Sequence, residues 1–110
     1  MPARLAAFLN ARWEEEERDS QIFHELDCPA ATRPTRGPGR ARPCGCPVPA
    51  LIRRRIAAHR RILRDCEQRI QEEQESGLCW PRRSTFAFQT MKALALPYEL
   101  HPAWQDIWYP

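Results

Sequence analysis

Apolar side chains recur at three- and four-residue intervals in three stretches of the chain, which is the spacing of a helix that buries one face. The first stretch covers residues 3–23, where neither Pro nor Gly interrupts the pattern. Its leading apolar positions are Leu5, Phe8, Leu9 and Trp13. Four consecutive glutamates at 14–17 follow, so the second half depends on helix propensity and on the Glu14/Arg18 pair. We therefore predict a first helix over residues 3–26.

The second stretch, residues 49–76, carries the most regular pattern in the sequence. Its apolar seam is spaced 4, 3, 4, 3 and 4 residues apart and comprises Ile52, Ile56, His59, Leu63, Cys66 and Ile70. Leu51, Ala58 and Ile62 are expected to widen this seam. Pro49 suits a first helical turn and Gly77 a helix stop, so the pattern predicts one long helix that packs onto a neighbour.

The third stretch is shorter and leads into an aromatic tail. A helix is predicted from Ser84 or Thr85 to Leu96, where Pro97 ends it. The side chains that it would bury are Phe86 or Phe88, Met91, Leu94 and Ala95. The aromatic side chains of the tail are Tyr98, Trp104, Trp108 and Tyr109. The predicted fold is all-α: a long helical hairpin, a short third helix and a C-terminal tail docked on the core.

The length of 110 residues allows one small helical domain, which we expect to cover residues 1–110. The chain is 43% hydrophobic and 28% charged, near the average of folded proteins. Residues 29–48 are rich in Pro, Gly and Arg without a helix or strand pattern, which predicts a flexible or metal-clasped loop. No apolar run approaches the roughly 18 residues of a membrane span, and no signal peptide is recognisable. We expect a cytoplasmic location and no membrane contact.

Five cysteines, an odd number without an export signal, argue against a disulfide framework and favour thiols or metal ligands. His24 and Cys28 would lie one turn apart on a helix that continues past Phe23. Cys44 and Cys46 arrive from the loop, and the four side chains would complete a tetrahedral shell for one structural zinc ion. The C-x-C spacing is tighter than the usual C-x2-C, so a pair of thiols without metal stays open as the alternative.

Basic charge is concentrated in the middle of the chain. Residues 33–64 hold ten arginines and no acidic side chain, whereas the whole chain has a net charge of +3. A small nucleic-acid-binding protein is one interpretation, with phosphate contacts from Arg33, Arg36, Arg40, Arg42, Arg53, Arg54, Arg60 and Arg61. No aromatic side chain for base stacking lies between Phe23 and Trp80. We favour an antiparallel hairpin in which arginines of the second helix face the glutamates at 14–17.

Catalytic motifs are missing from the sequence, which has no G-x-S-x-G, glycine-rich phosphate loop, H-E-x-x-H or paired carboxylate motif. We expect a non-enzyme. The leading function is a binding or regulatory module that contacts an unidentified protein. Trp104 and Trp108 either seal the core or anchor that partner. The seam of the second helix, about 42 Å long at 1.5 Å per residue, could also supply a homodimer interface.

Three segments carry a resemblance to known sequences: LAAFLNARWEEEE at the start, CGCPVPALIRRRIAAHRRIL in the middle and MKALALPYELHPAWQDIWYP at the end. They resemble a family of small uncharacterised actinobacterial proteins that is also met in actinophages. The terminal LALPYxxHPxW motif is the most specific part, whereas residues 57–59 depart from the acidic residue and EAK common in that family. The resemblance implies a compact helical fold in a bacterial cytoplasm, and it implies no activity, cofactor or catalytic residue.

Overall fold

A computed structural model describes residues 2–25, 28, 46–77 and 83–110. Within these ranges the chain forms three α-helices and no strand: α1 at Pro2–Asp19, α2 at Val48–Ser76 and α3 at Arg83–Ala95. Short 3-10 turns lie at Ser20–Ile22, Leu96–Tyr98 and Asp106–Trp108. The two long helices pack against each other, which confirms the predicted all-α hairpin. Most of the predicted loop, residues 29–45, lies outside the described residues.

The first helix ends earlier than the sequence predicted. α1 stops at Asp19, one 3-10 turn follows, and Phe23 is already extended with φ −94° and ψ 130°. The hydroxyl of the buried Ser20 donates to the carbonyl oxygen of Glu17 at 2.8 Å and so satisfies a carbonyl at the helix end. All buried apolar side chains of α1 lie at or before Trp13, so packing does not stabilise an extension to residue 26.

α2 matches its predicted bounds to within one residue. It begins at Val48 and ends at Ser76, and the Gly77 that follows has a φ of 65°, the left-handed conformation that glycine adopts at little cost. The fully buried members of its seam are Ile56, Leu63, Cys66 and Ile70. Because α1 and α3 cover this seam, with Leu63 only 1% exposed, it is not accessible to a second copy, and the expected homodimer cannot use it.

Three apolar residues of α2 do not widen the seam as expected. Leu51 and Ile62 are 53% and 41% exposed, and Ala58 is exposed as well. At 100° of rotation per residue, Leu51 and Ala58 lie roughly 100° and 120° from the middle of the buried seam, and Ile62 lies on its flank, roughly 80° away. The buried stripe of α2 is therefore as narrow as a coiled-coil seam.

α3 begins at Arg83 and ends at Ala95, and Pro97 then directs the chain into a 3-10 turn. Of the two candidate phenylalanines, Phe88 packs against the core, whereas Phe86 is 76% exposed. The predicted docking of the tail is confirmed, because the side chain of Trp108 is 3% exposed within the core.

Phe8 is the centre of an aromatic cluster between α1 and the tail. Its ring centroid lies 4.8 to 6.4 Å from those of four C-terminal rings: Tyr98, His101, Trp104 and Trp108. The guanidinium carbon of Arg12 lies 5.3 Å from the Phe8 centroid, a cation–π distance. We call these rings the aromatic cluster. It fixes the tail against the N-terminal half of α1.

Two ion pairs join the outer parts of the hairpin. Arg55 Nη2 lies 3.2 Å from Glu16 Oε2, and Arg60 Nη1 lies 2.5 Å from Glu17 Oε2. Arginines of the second helix therefore face the glutamates of the first, as the sequence predicted.

Candidate metal centre

Three side chains with metal-binding atoms converge where the end of α1 meets the start of α2. His24 follows the 3-10 turn after α1, Cys28 lies four residues later, and Cys46 stands two residues before α2. One ligand atom from each side chain lies within 4.8 Å of the other two. Nitrogen and sulfur donors from two segments of the chain thus share one small volume.

His24 and Cys28 lie beyond the end of α1, next to one backbone hydrogen bond. The chain is extended at Phe23, and the amide N–H of Cys28 then donates to the carbonyl oxygen of Glu25 at 3.0 Å. Cys28 Sγ lies 3.7 Å from His24 Nδ1. The sequence predicted these two residues one turn apart on a helix that continues past Phe23, but α1 ends at Asp19 and the chain is extended at Phe23.

Cys46 is positioned by the backbone of the first segment. The amide N–H of Glu25 donates to Cys46 Sγ at 3.1 Å, a contact between residues 21 positions apart. An N–H that donates to a cysteine sulfur orients the side chain, as hydrogen bonds around metal ligands do. Sequence reasoning missed this contact because a main-chain donor leaves no signature in residue identity.

The separations suit a tetrahedral ion. With Zn–S of about 2.3 Å and Zn–N of about 2.0 Å, neighbouring ligand atoms in a tetrahedron lie roughly 3.5 to 3.8 Å apart. The observed 3.7 Å between Cys28 and His24 falls in that range, and the group as a whole is within about an ångström of it. Cys28 is buried, while His24 and Cys46 are half-buried. None of the three described cysteines is in a disulfide.

Cys66, the third of these cysteines, belongs to the core. Its side chain is 5% exposed, and burial, followed by the charge of Asp65, raises the pKa of the thiol above its ordinary value. A thiol whose proton is held this way is a poor nucleophile and a poor metal ligand. This agrees with its position on the seam of α2.

The other candidate residues are spread over different parts of the chain. The proposed fourth ligand, Cys44, and the loop arginines Arg33, Arg36, Arg40 and Arg42 lie outside the described residues. Arg53, Arg54 and Arg61 are exposed on α2, and Arg60 pairs with Glu17. Trp104 is half-buried and Trp108 is buried, both within the aromatic cluster.

Comparison with models of protein families finds a match that covers nearly the whole chain. A family model described as a family of unknown function (DUF6221) matches residues 2–110, which agrees with the resemblance to a small uncharacterised family. No curated protein and no solved structure matches the chain. Among the described residues, no helix is both long and apolar enough to cross a membrane.

Proposed function

Because the chain belongs to the DUF6221 family, whose function is unknown, we propose a function from its own geometry. The protein is a non-enzymatic binding module that acts through protein contacts and holds one structural zinc ion where α1 meets α2. The observation that carries this proposal is the convergence of His24, Cys28 and Cys46 within 4.8 Å.

Zinc is the ion that this donor set favours. Thiolate and imidazole ligands select zinc over magnesium or calcium, which prefer oxygen. Cys44, two residues before Cys46, is the fourth ligand that the sequence offers, although it lies outside the described residues. A shell of four protein ligands leaves no position for a substrate, so the ion would stabilise the fold without taking part in a reaction.

Exposed apolar side chains in the tail support a role in protein contacts. Leu100 is 94% exposed, Ile107 is 68% exposed and Tyr109 is 47% exposed. The ring of Tyr109 lies 5.2 Å from that of Trp104, so this surface continues from the aromatic cluster. Exposed apolar side chains of this size are available for contact with another protein.

Metal content tests the zinc proposal directly. Untagged protein purified without chelator should contain about one zinc ion per chain by mass spectrometry of the metal, as a four-ligand structural site requires. The Cys28→Ser/Cys46→Ser variant should lose the metal. The control Cys66→Ala, which removes a thiol of the core, should keep it. The Cys44→Ser variant should also lose zinc if Cys44 is the fourth ligand.

Two results would overturn the zinc proposal. One is wild-type protein that stays free of metal after reconstitution with zinc. The other is a Cys28–Cys46 disulfide in protein kept under reducing conditions, seen as a loss of two hydrogens in the intact mass. The first result would favour the pair of thiols without metal. The second would mean that a disulfide takes the place of the metal, because oxidised sulfur cannot bind zinc.

A nucleic-acid-binding role is the second candidate. Arg53, Arg54 and Arg61 are exposed on α2, and no ion pair to them is found among the described residues. Phosphate binding predicts an affinity for DNA or RNA that falls steeply between about 50 and 200 mM salt and weakens in Arg53→Glu/Arg54→Glu. If neither DNA nor RNA binds at the lower salt concentration, the nucleic-acid-binding role is wrong.

A further inference from the structure

α2 carries opposite charges in its two halves. Residues 48–64 contain six arginines and no acidic side chain, whereas residues 65–76 contain five acidic side chains and one arginine. The helix has 29 residues and is therefore about 43 Å long at 1.5 Å per residue. Two such helices placed antiparallel would set each basic half beside an acidic half.

The exposed side of α2 has a heptad pattern of its own. Its members, spaced 3, 4, 3, 4, 3 and 4 residues apart, are Leu51, Arg54, Ala58, Arg61, Asp65, Gln68 and Glu72. Every one of them is exposed. At 100° per residue this line of side chains lies roughly 150° around the helix from the buried seam. We call it the outer seam.

We infer that α2 is a homodimer interface in which the outer seams of two copies pair antiparallel. With the two-fold axis at residue 63, Arg54 lies opposite Glu72 of the second copy, and Arg61 lies opposite Asp65 of the second copy. The two-fold axis repeats both pairs, which gives four ion pairs from one self-complementary surface. Ala58 supplies apolar contact within the outer seam.

Charge complementarity identifies the occupant as a second copy. A nucleic acid would be attracted by the basic half of α2 and repelled by the acidic half, whose net charge is −4. The acidic run of α1 is already engaged, because Glu16 and Glu17 pair with Arg55 and Arg60. The sequence of charges along the outer seam is thus matched by its own antiparallel copy.

Contacts within α2 do not prevent this pairing. Asp65 pairs with Arg69 at 3.1 Å, and Gln68 donates to Glu72 at 3.0 Å. Both are exposed contacts one helical turn apart, which stabilise a helix only weakly. The carboxylates retain oxygens that can accept from a second copy. Because apolar contact is sparse, charge holds the dimer, and salt should weaken it.

This inference rests on the protein-contact part of the proposed function and is independent of the zinc ion. Sedimentation velocity of the full chain should find a dimer at about 0.1 M salt that dissociates at about 1 M, where the Debye length falls from about 10 to about 3 Å. Metal content measured on the same samples should not change. If the samples dimerise but contain no zinc, the metal proposal is wrong and the dimer inference is unaffected.

Charge reversal supplies the decisive variants. Arg54→Glu/Arg61→Glu makes the outer seam acidic, and Asp65→Arg/Glu72→Arg makes it basic. Each variant alone should dimerise more than about tenfold more weakly than wild type, since like charges then face each other. An equimolar mixture of the two should form a heterodimer, because all four pairs become complementary again. Circular dichroism of each variant reports whether the fold is kept.

A matched control keeps the charge change and moves it off the outer seam. Arg53→Glu/Arg64→Glu alters the net charge by the same amount at exposed positions about 100° away, so its dimer should persist. Three results would overturn the inference: a wild-type monomer at low salt, reversal variants that still dimerise, or folded variants that fail to pair when mixed. A monomer that binds nucleic acid would also overturn it, in favour of the basic half as a phosphate-binding surface.

Discussion

The two ends of α1 are held in different ways. At its N-terminal half, Phe8 is buried in the aromatic cluster among four rings. Beyond its C-terminal end, Ile22 and Phe23 are 64% and 50% exposed, and the group of His24, Cys28 and Cys46 lies there. One end is stabilised by removing apolar surface from water, and the other offers donor atoms for an ion.

This difference determines which conditions affect each end. Burial of aromatic rings depends little on pH or on metal, so the cluster should persist wherever the chain folds. Thiolates and imidazole bind zinc only when deprotonated, so the order of the opposite end should depend on zinc and on pH. If the proposed zinc ion is bound, α1 has one anchor that is independent of metal and one conditional anchor that requires it.

Trp108→Ala should have the largest effect, because it empties the best-buried ring of the tail. Truncating a buried aromatic side chain costs about 3 to 5 kcal/mol of unfolding free energy. Urea denaturation measures this loss. Ile107→Ala, at a neighbouring side chain that is 68% exposed, should change stability by less than about 0.5 kcal/mol. Equal losses at the two positions would mean that the tail does not dock as described.

Removal of zinc should destabilise the opposite end by an intermediate amount. A ligand present at about 100 times its dissociation constant stabilises the folded state by about 2.7 kcal/mol, and a chelator removes that contribution. Hydrogen exchange should then quicken around His24 and at the start of α2 while Phe8 and Met91 stay protected. Chelator should leave Cys28→Ser/Cys46→Ser unchanged, and uniform loss of protection across the chain would break the comparison.

Tyr98→Phe should have a smaller effect that depends on pH. The Tyr98 hydroxyl donates to Glu16 Oε1 at 2.6 Å, and losing a hydrogen bond to a charged group at this half-buried position should cost about 1 kcal/mol. Burial, then the hydrogen bond and charge of Glu16, raise the pKa of Tyr98 above its ordinary 10.0. The folded state thus holds the proton more tightly, so this contribution is complete below pH 10 and declines as pH rises further.

Thermal melts of both proteins at neutral and alkaline pH check that sign. The difference in unfolding free energy between wild type and Tyr98→Phe should shrink as pH rises through and beyond 10, the ordinary pKa of the side chain. A difference that grows with pH would contradict the assignment of Tyr98 as the donor.

Arg60→Ala should have the smallest effect. The pair with Glu17 joins two partly exposed side chains, and such pairs contribute about 0.2 to 1 kcal/mol. A double-mutant cycle with Glu17→Gln measures the coupling, which should fall when salt is raised. If this coupling energy exceeds that between Tyr98 and Glu16, the ion pairs contribute more than the Tyr98 hydrogen bond to holding α1 against its neighbours.

Local pattern predicted most of the framework. The bounds of α2 followed from Pro49, Gly77 and a regular seam, and the docked tail followed from its density of aromatic rings. The end of α1 did not, because the Ser20 hydroxyl competes with the helix for a carbonyl group that no apolar pattern reveals. Contacts between distant positions, such as that of Tyr98 with Glu16, 82 residues apart, have no local signal.

The candidate site was predictable in its residue types and less so in its construction. His24, Cys28 and Cys46 were identified by spacing alone, since few other patterns group these donors. Their approach depends on the extended backbone at Phe23 and on hydrogen bonds from backbone amides. Neither feature has a signature in the residue types. The outer seam became visible only after the structure showed Leu51 and Ala58 to be exposed on α2.

X-ray absorption at the zinc edge of the purified full-length protein tests the central claim most directly. We expect one four-coordinate zinc ion with sulfur at about 2.3 Å and nitrogen at about 2.0 Å. Cys46→Ser should remove one sulfur from that shell and leave the nitrogen in place. A shell of oxygen and nitrogen without sulfur would mean that zinc does not bind to these cysteines, which would contradict the proposed metal centre.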